Sequence, residues 1–150
     1  QAEDGIRDRS PSRGLGDVYK RQDFVSVITF LKYDLLTQEA KKILVPAADD
    51  LDVAVILASP LHGGLLGSKR DHWRDSGRYG DAFEKQERVE KVLDKHGLDS
   101  VDTGLRYLLS DERVSLILSG VDSVAEVDRS VAVSDGRVLS NTLIEEIEAA

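Results

Sequence analysis

The hydrophobic residues of this chain form three continuous runs, separated by stretches in which they recur with helical spacing. FVSVITF (residues 24–30), VAVILA (residues 53–58) and VSLILSG (residues 114–120) are rich in β-branched residues and lack regular alternation with polar ones. Runs of this kind are typical of strands that are buried on both faces. We therefore predict three buried strands.

The segments between these runs carry the signals of helices. Thr37 begins TQEAKKILVPAADD, whose Ala and Leu content favours a helix that Pro46 breaks. Four later helices are predicted, and their N-caps are Asp81, Ser100, Ser123 and Ser140. Gly97 ends the first of the four. Their apolar faces comprise Val89, Val92 and Leu93, then Val101, Leu105, Leu108 and Leu109, then Val124, Val127 and Val131, and finally Leu143, Ile144 and Ile147.

The alternation of strands and helices indicates the architecture. Buried strands separated by helices are characteristic of parallel βαβ units. A sheet of so few strands leaves its edges uncovered and buries little interior. The pattern therefore predicts an α/β fold that is the end of either a (β/α)8 barrel or a doubly wound sheet.

The first 22 residues, QAEDGIRDRSPSRGLGDVYKRQ, follow neither a helical nor a strand period. One back-translation of QAEDGIRD resembles a flow-cell adapter used in short-read DNA sequencing, and one of SRGLGDVYKRQ resembles a tagmentation adapter. We predict that residues 1–22 are a disordered, translated adapter, to be excluded from the fold as a tag would be. The natural domain then covers residues 23–150 and begins in mid-protein.

Charge and composition restrict the classes of partner. Without residues 1–22 the chain has 15 Lys and Arg against 24 Asp and Glu, a net charge of −9. No basic stripe occurs, so nucleic acids and anionic membranes are not expected as partners. The longest apolar run has six residues, against the roughly 20 that span a bilayer. The absence of cysteine favours a cytoplasmic protein, and no metal site is predicted.

Two glycine-containing turns follow predicted strands, where the ligands of parallel sheets gather. SPLHGGLLG follows the second strand, and its Gly63 and Gly64 allow a ligand to approach the backbone closely. SGVDSVAEVDRS follows the third strand, and the helix that begins at Ser123 presents amide groups that favour an anion. The residues themselves leave two interpretations open, a phosphate site or ordinary turns.

Three segments, in this order, resemble the C-terminal part of the aldo-keto reductases. FVSVITFLKYDLL is similar to the sixth barrel strand of that family, VAVILASPLHGGLLG to the seventh strand with its loop, and TGLRYLLSDERVSLILSGVDSVAEVDRSV to the segment with the eighth strand. ASPLHGGLL is closest to the aldose, L-fucose or L-galactose dehydrogenase branch. The resemblance implies the C-terminal three βα units of an incomplete TIM (β/α)8 barrel. It also implies an NAD(P)-dependent oxidoreductase that oxidises a sugar or polyol, the alternative being a small acidic flavodoxin-like regulatory or binding module.

The resemblance further implies a site for a nicotinamide dinucleotide and a small carbonyl or sugar substrate. The loop that flanks the nicotinamide and the pyrophosphate corresponds to Ser59, Pro60, Leu61, Gly63, Gly64 and Leu65. The turn and helix that hold the adenosine end correspond to Ser119, Gly120, Val121, Asp122, Ser123 and Glu126. Ala58 departs from the many relatives that carry an aromatic residue there to stack on nicotinamide, so stacking is weaker here or supplied elsewhere.

Asp122 and Glu126 bear on the choice of cofactor. NADPH-preferring relatives tend to place Arg or Lys against the ribose 2'-phosphate, whereas carboxylates repel a phosphate and accept hydrogen bonds from a free ribose diol. The resemblance therefore implies NAD, with NADP less favoured. Alternatively, Glu126 forms a capping box with Ser123 and serves only the helix. The two roles are compatible.

No catalytic residue is predicted in this chain. The catalytic Asp, Tyr, Lys and His of the family lie on the first four barrel units. His62 is predicted to be structural or exposed, and Trp73 to pack on the barrel rim. We therefore expect the chain to keep the cofactor-binding part and to be inactive alone. The residues that match no position of the catalytic set are Tyr33, Tyr79, Tyr107, His62, His72 and His96.

Overall fold

Three parallel strands form the sheet of the computed structural model, which describes residues 24–77 and 79–150. The prediction for residues 1–22 lies outside the described residues. The strand order is β1-β2-β3, so the chain adds each strand beside the previous one, as in a barrel. The predicted α/β fold, a part of a (β/α)8 barrel, is confirmed. The strands are β1 (Ser26–Phe30), β2 (Ala54–Ala58) and β3 (Val114–Leu118).

Helices connect the strands in the described part of the chain. Between β1 and β2 lie α1 (Glu39–Lys42) and α2 (Leu44–Asp50). Between β2 and β3 lie a 3-10 turn (His62–Gly64), α3 (Arg70–Ser76), α4 (Gly80–Lys95) and α5 (Ser100–Leu109). After β3 come α6 (Val124–Val133) and α7 (Asn141–Ala149).

Serine caps fix the starts of the last two helices. The Ser123 hydroxyl accepts the Glu126 amide at 3.3 Å, and the Ser140 hydroxyl accepts the Leu143 amide at 3.3 Å. Each bond satisfies an amide that has no partner within its helix. Both predicted caps are therefore confirmed.

The predicted cap of α5 is wrong by one residue. The Asp99 carboxylate accepts the amides of Val101 and Asp102, at 2.8 and 3.1 Å, so Asp99 is the N-cap. Ser100 instead donates its hydroxyl to the Leu66 carbonyl at 2.9 Å and ties the helix to the preceding loop. Two adjacent residues had capping chemistry, and the tertiary contact decided between them.

Two further helix boundaries bear on the predictions for Asp81 and Pro46. The predicted cap Asp81 lies inside the first turn of α4, whose N-cap position is held by Tyr79 with no capping bond from its side chain. The helical segment before β2 breaks at Ile43, which has φ −120° and ψ −59°. Pro46 explains the break, because its ring would clash with the carbonyl four residues earlier in a continuous helix. The predicted break is thus confirmed.

The core lies between one face of the sheet and the helices. Val55 and Leu57 of β2 are buried in it. On α5 the buried face contains Tyr107 and Leu108, whereas Leu109 is exposed, so the predicted apolar face is rotated towards Tyr107. Other fully buried members are Leu35, Leu44, Val45, Leu65, Leu66, Leu93 and Ile147.

The opposite face of the sheet is open to solvent. The prediction that the strands are buried on both faces is therefore wrong for β1 and β3. Ile28 and Leu116 are exposed there. The predicted apolar face of α6 is exposed as well, with Val124 77% accessible, and the buried residue of that helix is Val133. In a closed barrel the inner face is filled by side chains of all eight strands, and the three described strands do not close.

Candidate functional site

A cavity of about 580 Å³ lies at the carboxyl ends of the strands. This volume falls within the range of about 300–1,000 Å³ that is usual for small-molecule sites. Both glycine-containing turns contribute to it. Its lining residues are Phe30, Ser59, Pro60, Leu61, Gly63, Gly64, Gly67, Ser68, Lys69, Val101, Leu105, Ser119, Gly120, Val121, Asp122, Glu126, Arg129 and Ser130.

The loop after β2 has an unusual backbone. Ser59 and His62 adopt left-handed φ values of 66° and 51°, and Gly63 and Gly64 have φ values of 65° and 89°. Non-glycine residues in this region are strained and concentrate at functional sites. The Ser59 hydroxyl accepts the Gly63 amide at 2.8 Å and closes the loop on itself. The loop therefore presents its backbone to the cavity in one defined conformation.

A buried hydrogen bond between Asp34 and His62 supports this loop from below. His62 Nδ1 lies 2.8 Å from Asp34 Oδ2, and Asp34 is 0% exposed. The other carboxylate oxygen accepts the amides of Leu36 and Thr37 at 2.8 and 3.0 Å. Because a carboxylate only accepts hydrogen bonds, Nδ1 of His62 donates to it. This hydrogen bond thus joins the loop after β1 to the loop after β2. Of the two roles predicted for His62, structural or exposed, the structure shows the structural one.

An aromatic cluster covers the same loop from the side of α3. The indole Nε1 of Trp73 donates to the Gly63 carbonyl at 2.9 Å. The Tyr79 ring packs edge-on against Trp73 and His62, with centroid separations of 5.5 and 5.2 Å. The prediction that Trp73 packs at the rim agrees with these contacts. Trp73 is the single tryptophan of the chain, so its fluorescence reports on the loop.

The turn after β3 carries the second half of the cavity wall. The Glu126 carboxylate accepts the Asp122 amide at 2.9 Å, while Ser123 caps the helix. In a capping box the side chain at N3 accepts the amide of the N-cap residue. Here Glu126 accepts the amide of Asp122, one residue before the N-cap Ser123. The structural role considered for Glu126 is therefore present, and its side chain still lines the cavity.

Four charged residues line the cavity, and they are Lys69, Arg129, Asp122 and Glu126. The Arg129 guanidinium binds the carboxylates of Asp99 and Asp102. Burial would lower the pKa of Arg129, but these two carboxylates outweigh burial and raise the pKa. Lys69 has no carboxylate partner within the described residues. The amine of Lys69 is therefore the charge that an anionic ligand would meet.

Most of the predicted site residues line this one cavity. The exceptions are Leu65, whose side chain is fully buried in the core, and Ser123, whose hydroxyl caps α6. Among the lining residues that the sequence analysis did not predict, Phe30 was assigned to a buried strand and Lys69 was given no role. The only signal for Lys69 was its nearness in sequence to the glycine pair.

Two kinds of feature are absent from residues 24–77 and 79–150. These residues contain no group of three or more His, Cys, Asp or Glu side chains placed to hold a metal ion. None of their helices is both long and apolar enough to cross a bilayer.

Parallel βα units with a cavity at the carboxyl ends of the strands are the arrangement of an α/β barrel, of which the described residues form three strands. Within that class, the sequence model of the aldo/keto reductase family matches residues 18–150. The chain belongs to this family of oxidoreductases. The match begins at residue 18, within the segment predicted to be adapter. This assignment replaces the alternative hypothesis of a flavodoxin-like module.

Solved structures share the fold of this chain. The holo form of aldo-keto reductase AKR11C1 from Bacillus halodurans is 18% identical, has a TM-score of 0.67, and aligns over 89% of this chain and 45% of its own. Its apo form gives the same TM-score and identity, over 89% and 46%. The thermostable aldo-keto reductase Tm1743 in complex with the inhibitor epalrestat is 18% identical, with a TM-score of 0.57 over 82% and 39%. The chain thus spans less than half the length of these proteins. No curated protein matches it.

Proposed function

We propose that this chain forms the cofactor-binding part of an oxidoreductase that transfers hydride between NAD and a sugar or polyol. The observation that carries the proposal is that both glycine-containing turns line the same cavity. A dinucleotide requires contacts along an extended ligand, and two turns from neighbouring strands provide them at one edge of the sheet. The sugar or polyol substrate rests on the resemblance of ASPLHGGLL to the aldose dehydrogenase branch, and a cytoplasmic location on the absence of cysteine.

The residues of the cavity fit the chemistry of a dinucleotide. Gly63, Gly64 and Gly120 have no side chain and therefore let a pyrophosphate approach the backbone closely. The Lys69 amine balances part of the pyrophosphate charge. The first-turn amides of α6 add the partial positive charge of a helix start. When bound, a nicotinamide ring supplies the hydride acceptor, and the residues of this chain hold and orient it.

Asp122 and Glu126 favour NAD over NADP in this proposal. Both carboxylates line the cavity at the start of α6. Glu126 uses one oxygen for the Asp122 amide, which leaves the other free to accept a ribose hydroxyl. A 2'-phosphate placed there would be repelled by both charges.

Titration of the chain with NAD⁺ and NADP⁺, followed by Trp73 fluorescence, tests this proposal. We expect NAD⁺ to bind about tenfold more tightly, since repulsion of the phosphate costs on the order of 1 kcal/mol near a protein surface. Combining Asp122→Asn with Glu126→Gln should remove most of this preference. Asp128→Asn is the matched control, because this exposed carboxylate on α6 does not line the cavity.

The outcomes separate the two parts of the proposal. If NADP⁺ bound as tightly as NAD⁺, the preference for NAD would be contradicted while the cofactor site would stand. If neither dinucleotide changed the fluorescence or bound in equilibrium dialysis, the cofactor site itself would be contradicted.

We further propose that the chain binds cofactor without turning over substrate. None of the described tyrosines and histidines lines the cavity. The Tyr33 and Tyr107 hydroxyls donate to Asp111 and Glu148, and burial raises the pKa of both phenols well above its usual range. Oxidation of an alcohol to a carbonyl requires a group within hydrogen-bond reach of the substrate hydroxyl to accept its proton as hydride leaves the carbon. We expect no NADH formation from NAD⁺ and an aldose, measured by absorbance, and turnover would contradict the proposal.

A further inference from the structure

A cluster of three polar side chains joins the loop after β2 to helix α4. The guanidinium of Arg70, the first residue of α3, forms two bonds of 2.9 Å with the two carboxylate oxygens of Glu90. Glu90 Oε1 also accepts the side-chain amide of Gln86 at 3.1 Å, and the same amide donates to the Leu65 carbonyl at 3.2 Å. Glu90 therefore holds Arg70 directly and holds Leu65 through Gln86.

Burial makes this cluster dependent on Glu90. Gln86 is 1% exposed, and the side chains of Arg70 and Glu90 are partly buried. The Nε atom of Arg70 is buried and has no hydrogen-bond partner within the described residues. A bidentate pair between a guanidinium and a carboxylate fixes the orientation of both groups, and removing the carboxylate would leave a partly buried cation unpaired.

The segment held by this cluster contains Lys69, which lines the cavity. The backbone amide of Lys69 donates to the Gly64 carbonyl at 3.1 Å. A Cβ added at Gly64 would lie 3.1 Å from the Lys69 side chain, which therefore passes closely over that glycine. Leu65 and Arg70 are attachment points of the segment to α4, and Lys69 lies between them. The position of the Lys69 amine thus depends on both attachments.

We propose that Glu90 is a positioning residue, which holds the Lys69 amine towards a phosphate-bearing ligand by fixing Arg70 and Gln86. This inference rests on the proposed function, because it takes the ligand to be a dinucleotide whose pyrophosphate meets Lys69. Glu90, Arg70 and Gln86 do not themselves line the cavity. The effect of Glu90 on affinity therefore passes through Lys69 and disappears when the Lys69 amine is removed.

A double-mutant cycle of Glu90 and Lys69 in the full chain tests this inference, with NAD⁺ affinity measured by calorimetry. Lys69→Ala should weaken NAD⁺ binding about tenfold, because one charge-assisted contact to phosphate is lost. Glu90→Ala should weaken it about fivefold, but by less than about twofold when Lys69→Ala is already present. Glu90→Gln keeps an acceptor oxygen and should regain most of the affinity that Glu90→Ala loses. Glu87→Ala is the matched control, because this exposed glutamate of α4 does not line the cavity.

Trp73 provides a second measurement that does not require the cofactor. Its backbone amide donates to the Lys69 carbonyl at 3.1 Å, so the indole lies one helical turn after Lys69. Release of the segment by Glu90→Ala should increase the quenching of Trp73 fluorescence by acrylamide. Glu90→Gln and Glu87→Ala should leave the quenching as it is in the unaltered chain.

The outcomes separate this inference from the proposed function. Equal weakening by Glu90→Ala with and without the Lys69 amine would show that Glu90 supports the cavity as a whole, and it would overturn the inference. Unchanged NAD⁺ affinity in Glu90→Ala would also overturn it, and both results would leave the cofactor site standing. If the unaltered chain bound no NAD⁺, the proposed function would fail and this inference with it.

Circular dichroism of each variant checks that the fold is retained. If Glu90→Ala did not fold, Arg70→Gln would take its place in the cycle, because it removes the same ion pair from the other side. The same dependence on Lys69 is expected for Arg70→Gln, and its absence would overturn the inference.

Discussion

Replacing Asp34 with alanine is expected to lower the free energy of unfolding by about 3 kcal/mol and to abolish cofactor binding. The carboxylate is fully buried and accepts bonds from the Leu36 amide, the Thr37 amide and His62 Nδ1. Alanine would leave these three donors without an acceptor inside the protein. The strained loop that begins at Ser59 would then lose its support and relax away from the cavity.

Asp34→Asn is the matched control for this substitution. Its carbonyl oxygen can still accept the amides of Leu36 and Thr37, and its amide group can donate to His62 Nδ1 in the tautomer that carries its proton on Nε2. We expect this variant to lose less than about 1.5 kcal/mol and to keep measurable NAD⁺ binding. Urea unfolding followed by circular dichroism gives the free energies. Equal stability of Asp34→Ala and the unaltered chain would show that the buried pair does not hold the loop.

Gly63→Ala is expected to cost about 2–3 kcal/mol of stability and to weaken NAD⁺ binding at least tenfold. Gly63 has φ +65°, which an alanine adopts only with strain. An added Cβ would also lie 2.7 Å from the Tyr79 hydroxyl oxygen. Tyr79 packs against His62 and Trp73, so it cannot move aside without disturbing both.

Gly77→Ala separates backbone strain from the steric clash. Gly77 has the same φ of +65°, but an added Cβ there meets no atom within 4 Å. This variant should lose only about 1 kcal/mol and bind NAD⁺ normally, because α3 ends there away from the cavity. The two free energies of unfolding and the two dissociation constants are compared directly. If the two variants behaved alike, the contact between Gly63 and Tyr79 would have no energetic role.

The secondary structure was largely readable from the sequence because it depends on local signals. The three apolar runs became the three strands, and Ser123, Ser140 and Pro46 acted as expected. Errors arose where two residues offered the same chemistry, as Asp99 and Ser100 did at the start of α5. In such cases the choice depends on which neighbour satisfies each side chain.

The candidate site was readable only in outline. Both glycine-containing turns were expected at one edge because parallel strands place their carboxyl ends together. This reasoning located Ser59 and Gly120 at the same cavity. The resemblance to the aldo-keto reductases implies Leu65 as a site residue as well, although the chain turns its side chain into the core. Adjacent residues of a loop point in different directions, and their sequence does not state which.

The sequence by itself determined the βα alternation, the break before Pro46, the caps of the last two helices and the positions of the two turns, since these follow from backbone preferences and local side-chain chemistry. Only the tertiary structure decided that Asp34 supports His62 across 28 residues, that Phe30 stands beside Ala58, and that Lys69 faces the cavity. These contacts join segments that are distant along the chain. They depend on strand register and side-chain direction, which packing of the whole domain sets and no local pattern encodes.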